Sequence, residues 1–158
     1  MSDTTNNIRV LLIDPHPRIR EVYSHLGNGF AVTAFENFED AGRAIASGTR
    51  FDVILSEIHN PTDGTCADDA IINFLCARKS SGTPVLVCTF FSPGELSDTQ
   101  TKKLNQNQIP VIMKGHDFSG LLNKLRTLAG SAPATASFPE KPRTMPSATP
   151  RKPTVKTG

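Results

Sequence analysis

The sequence is short of several things that would make it easy to classify. It has three cysteines, Cys66, Cys76 and Cys88, an odd number with no CxxC spacing. That argues against a disulfide framework or a zinc ribbon and fits reduced thiols in a cytoplasmic protein. No apolar run approaches the ~20 residues of a membrane span. The first residues, MSDTTNN, are polar and acidic, unlike a signal peptide. No G-x-S-x-G elbow and no Ser–His–Asp order occurs, so hydrolase chemistry has no visible carrier. DPHPR, residues 14–18, lacks the glycines or hydroxyls of a nucleotide-binding loop. Basic charge is also scarce where a nucleic-acid face would need it. Residues 131–158 hold Lys141, Arg143, Arg151, Lys152 and Lys156 against Glu140, a balance of +4. The whole chain carries +2, so residues 1–130 carry −2.

What the chain does have is alternation. Residues 8–13 (IRVLLI) predict a strand, and Ile19, Val22, Tyr23 and Leu26 fall at helical spacing before Gly27. FAVTAF (30–35) predicts a strand. Asn37 then caps a helix through Ala41, Ala44 and Ile45. Residues 52–57 form a third strand. Residues 67–79 place Ala70, Ile71, Phe74 and Leu75 on one helical face. PVLVCTF (84–90) is a fourth strand, followed by a very polar helix from Ser92 to about Gln106. IPVIM (109–113) and a leucine-rich helix at 117–129 complete the series.

Five strand–helix units with short links predict an α/β fold, a parallel sheet with helices on both faces. Such sheets bind ligands beyond the carboxyl ends of their strands. There the sequence puts Asp14, Glu57, Thr89 and Lys114, two acids, a hydroxyl and an amine from four different strands. From residue 131 the composition changes, with six prolines in 28 residues. The expected organisation is a flexible N-terminus (1–6), one folded domain (7–130) and a disordered Pro-rich basic tail (131–158). No second folded segment is expected here to carry a DNA-binding helix-turn-helix. Direct DNA binding is therefore not expected, nor is a membrane span.

Four stretches, VLLIDPHPRIRE (10–21), FDVILSEIHNPTDG (51–64), TPVLVCTF (83–90) and VIMKG (111–115), resemble the receiver domains of two-component response regulators. The resemblance covers about residues 7–130. It implies a flavodoxin-like (βα)5 fold with a five-stranded sheet in the order 2-1-3-4-5. In such an order the last strand is an edge, where Pro110 is tolerated. In that family a pair of acids after strand 1 holds Mg²⁺, and an aspartate after strand 3 accepts a phosphoryl group. A Thr/Ser and a lysine contact that group, and an aromatic residue in strand 5 takes part in switching. The resemblance assigns Asp14 to the acidic pocket, Thr89 and Lys114 to the switch and pocket positions, and Glu57 to the phosphoacceptor position. It also exposes departures. Pro15 replaces the second acid, Phe90 the small residue after the hydroxyl, Val111 the switch aromatic, and Gly115 the proline after the lysine.

One added methylene displaces the Glu57 carboxylate by about 1.5 Å, a misplacement that in-line phosphoryl transfer tolerates badly. Without an acid at Pro15, Mg²⁺ binding is expected to be weak, and no other cofactor is implied. The expectation is an atypical, stand-alone pseudo-receiver. It would be a non-enzymatic signalling protein of the phosphorelay type that acts by protein–protein contact. Its partners would be a histidine kinase, a downstream effector, or a second copy through helix 4, strand 5 and helix 5. Glu57 would either pair with Lys114 and imitate the acyl phosphate, or belong to a pocket that is only scaffold. Two alternatives stand beside this. One is a regulator in a phosphorelay that is still phosphorylated. The other is a transition-metal protein using Asp14, His16, Glu57 and His59.

Overall fold

A computed structural model of the chain describes residues 6–60, 62, 66–115 and 117–130. The expected tail at 131–158 and most of the expected flexible N-terminus lie outside the described residues.

Runs of β-branched and leucine side chains become strands, and those in the middle of the sheet are covered on both sides. β1 (Ile8–Ile13), β2 (Phe30–Phe35), β3 (Val53–Ser56), β4 (Val85–Thr89) and β5 (Val111–Met113) form one parallel sheet in the order β2-β1-β3-β4-β5. β3 and β4 are buried along their whole length, as a parallel sheet between two helical layers requires. β5 is an edge, and Pro110 stands just before it, its carbonyl accepting a hydrogen bond from the Val87 N–H. This is the doubly wound architecture and strand order expected from the sequence.

The helices are α1 (Pro17–Tyr23), α2 (Phe38–Ala46), α3 (Asp69–Ser80), α4 (Asp98–Gln106) and α5 (Phe118–Gly130). One face of the sheet packs on α1 and α5 through Tyr23, Leu26, Leu121 and Leu125. The other packs on α2, α3 and α4 through Ala41, Ile72, Leu75 and Leu104. Among the described residues no helix is long and apolar enough to cross a membrane.

Three local expectations are corrected. Val22 does not face the core but stands exposed, because α1 turns Ile19, Tyr23 and the following Leu26 inward. On α3 the buried residues are Ile71, Ile72 and Leu75, while Ala70 is exposed; the helix begins later than its apolar pattern, at the Asp68 cap. The polar helix after β4 is two pieces, a single 3-10 turn at Pro93–Glu95 and then α4. Each piece starts with its own capping box, Ser92 with Glu95 and Ser97 with Gln100, so the chain restarts the helix rather than running through.

Candidate functional site

Strand register gathers the four polar residues. Ile13 pairs with Ser56, so the next residues, Asp14 and Glu57, leave neighbouring strands side by side. Thr89 pairs with Met113, which puts Lys114 immediately beyond the Thr89 level. All four side chains are buried at the carboxyl edge of the sheet.

The centre of the site is the Lys114 ammonium. It donates to Oε2 of Glu57 at 2.6 Å and, in a very short contact, to Oδ2 of Asp14. One cation therefore balances two carboxylates in a place that water does not reach. The other oxygen of Glu57, Oε1, accepts the backbone N–H of Ile58 at 2.7 Å and of His59 at 3.3 Å. The Thr89 hydroxyl, which accepts the Phe91 N–H at 3.3 Å, stands near enough to help keep Glu57 ionised. Burial alone pushes the Glu57 carboxyl up, but the charge and hydrogen bond of Lys114, with Thr89 and Ile58, outweigh it. The net result holds Glu57 below its ordinary range.

Asp14 is fixed from its other side. Its Oδ1 accepts the His16 N–H at 2.9 Å, and its carbonyl accepts from Arg20 on α1 at 2.6 Å. Phe90 lies over the lysine, its ring centre 4.7 Å from the ammonium, within the range of a cation–π contact. Beyond Lys114 the backbone turns at Gly115 with φ +82°. Proline, fixed near −65°, cannot take that conformation.

The structure brings the four residues singled out in the sequence to one edge, with wiring the sequence did not show. Asp14 shares the lysine with Glu57, and charge counting was the available signal, since one amine stood among two acids. The cross-chain support of the loop after β3 was not legible. His59 pairs with Ala67 in an antiparallel bridge, and Asn60 N–H donates to the Cys66 carbonyl at 2.7 Å. Gln100 on α4 then donates to the Ala67 carbonyl at 3.2 Å and to Asp69 at 3.0 Å. Val111, in the switch-aromatic position, sits on the edge strand and is partly exposed.

The residues present do not fit a divalent cation. Pro15 offers no side-chain oxygen, and both Asp14 Oδ2 and Glu57 Oε2 are turned onto an ammonium. The side chains of the transition-metal alternative are engaged with one another and with Lys114, and His59 Nδ1 lies 3.4 Å from Oε2 of Glu57. His16 and His59 pack ring against ring, 4.9 Å between centres, while the carboxylates point to Lys114. Among the described residues no group of three or more His, Cys, Asp or Glu is placed to hold a metal ion.

No family model matches the sequence, and no curated protein matches it. Solved structures do. The signal receiver domain of an HD domain-containing protein from Pseudomonas fluorescens Pf-5 superposes with a TM-score of 0.63 at 19% identity, over 79% of this chain and 96% of that one. The chemotaxis protein CheY4 of Vibrio cholerae gives 0.60 at 25% identity, over 77% and 98%. The response regulator TrrA from Thermotoga maritima, solved in complex with Mg(2+)-BeF, gives 0.59 at 20% identity, over 76% and 97%.

Proposed function

From the premise that the chain carries a receiver domain of the response-regulator kind, we propose that it is a pseudo-receiver. It takes part in two-component-type signalling by contact with other proteins and does not pass through a phosphorylation cycle. One observation carries the reading. The Lys114 ammonium lies between Asp14 and Glu57, where a phosphorylated receiver needs a metal ion and a free carboxylate.

Three further features support it. Both oxygens of the Glu57 carboxylate accept hydrogen bonds, Oε1 from backbone N–H groups and Oε2 from Lys114, so the group is tied down on both sides. Phe90 covers the lysine from the solvent side. Without an aromatic side chain at Val111 the family's usual switch has no moving part. The Glu57–Lys114 pair holds the lysine inward, as a phosphorylated aspartate would. The partner is a signalling protein such as a histidine kinase or a downstream effector, and no enzymatic step is assigned to the chain.

The test is intact mass after incubation with acetyl phosphate and Mg²⁺. The wild type should gain no phosphoryl group, and Glu57→Asp combined with Pro15→Asp is the comparison. A phosphoryl group found on the wild type and lost in Glu57→Gln overturns the reading in favour of a phosphorelay regulator.

A further inference from the structure

Among the described residues five large apolar side chains stand exposed, Val22, Phe90, Val111, Met113 and Phe118. Four of them, all but Val111, line one open groove of about 280 Å³ floored by Tyr23 and Cys88. α1 forms one lip, the start of α5 the other, and the ends of β4 and β5 lie between. Single exposed apolar residues are ordinary, but four around one groove mark a contact surface.

The chemistry of the groove narrows the occupant. Its volume is below the roughly 300 Å³ at which small-molecule pockets begin. Its one ammonium, that of Lys114, is already bound by two carboxylates inside the site, so it is poorly placed to receive an anion. The surface carries both a hollow and its own filling. Phe90 is 56% exposed, Phe118 48% and Val22 58%, and they stand beside the hollow that they line. A two-fold contact requires this, since one patch must supply both knob and hole.

The lips are opposite in charge. Arg18 is exposed and stands one helical turn before Val22, so spacing puts it on the same side of α1, and exposed Asp117 lines the α5 side of the groove. A two-fold axis along the groove sets the α1 lip of each copy against the α5 lip of the other. That brings Arg18 to Asp117 twice. We propose that this groove is the interface of a symmetric homodimer of the chain. Its place differs from the face of α4, β5 and α5 expected from the sequence, since α4 exposes no large apolar side chain among the described residues. The knob Phe90 rests on Lys114, so the interface touches the buried site directly.

The experiment is sedimentation equilibrium of the full chain from roughly micromolar to millimolar concentration. A monomer–dimer equilibrium is expected. Val22→Glu and Phe118→Glu should each weaken it by about tenfold or more, as loss of a central apolar contact does. Arg18→Asp should weaken it, and Arg18→Asp with Asp117→Arg in the same chain should recover it, because only the cross-lip arrangement restores that pair. Val22 is more than half exposed, so Val22→Glu should keep the wild-type thermal melt and separates loss of contact from loss of fold. A chain that stays monomeric to millimolar concentration overturns the proposal. So does a dimer indifferent to Val22→Glu and Phe118→Glu, or one whose hydrogen-exchange protection lies on α4. Each of these results leaves the mass test of phosphorylation unaffected.

Discussion

The ammonium of Lys114 lies 2.6 Å from Oε2 of Glu57, and both side chains are buried. Asp14 binds the same ammonium, so the site is a triad with one positive and two negative groups. Taking such charges out of water is costly, and only their mutual attraction and hydrogen bonds offset it. Several measurable consequences depend on that balance.

Removing the cation should be the most damaging change in the site. Lys114→Met leaves two buried carboxylates facing each other and should cost about 3–5 kcal/mol in urea unfolding. Glu57→Gln should cost less, because Asp14 still pairs with the ammonium. The double variant should lose less than the sum of the two single losses, since each removes the same interaction. Strict additivity would show that the pair is not formed in solution.

Acid should act through Glu57. Its folded-state pKa is depressed, with burial opposing and Lys114 prevailing. A depressed carboxyl contributes stability that is fully present above the unfolded value, 4.5, and is lost as pH falls through the folded value. The stability difference between wild type and Glu57→Gln should therefore be flat above about pH 6 and shrink as pH falls below about 4.5. A difference that changes between neutral and mildly alkaline pH would contradict the assignment.

Mg²⁺ should find little to bind. Calorimetric titration of the wild type should show no saturation at millimolar concentration, and the melting temperature should not respond to the ion. The reason is the ammonium already seated on Asp14 and Glu57, with Pro15 beside it. Submillimolar affinity abolished by Asp14→Ala is the contrary result.

The fourth consequence concerns α4. It buries a single side chain among the described residues, Leu104, worth roughly 1.5–3 kcal/mol. Its other ties are polar, Gln100 to the Ala67 carbonyl and to Asp69 of α3, and Lys103 to Asn73 of α3 at 2.8 Å. Amides of α4 should exchange faster than those of α3, which buries Ile71, Ile72 and Leu75. Gln100→Ala should speed α4 exchange further and leave α1 unchanged. Equal rates in α3 and α4 would mean that the polar ties hold better than burial predicts.

Much of this protein is written locally. Unbroken apolar runs such as VILS and VLVCT make buried parallel strands, because no alternation remains to send one face to water. Caps such as Asn37 and Asp68 start helices through bonds to backbone N–H groups only two or three residues away. A strand's end is fixed by the strand, so the place of Asp14, Glu57, Thr89 and Lys114 on one edge is legible in the sequence. The tertiary structure decided what local rules cannot express. The contact of Lys114 with Asp14 spans 100 residues, and that with Glu57 spans 57. Whether one amine serves one acid or two depends on the side-by-side register of β1 and β3 with the lysine beyond β5. The exposure of Val22 and the grouping of Phe90, Met113 and Phe118 were likewise invisible. A helical period says which residues share a face; only the packing of α1 and α5 on the sheet says how far that face is covered.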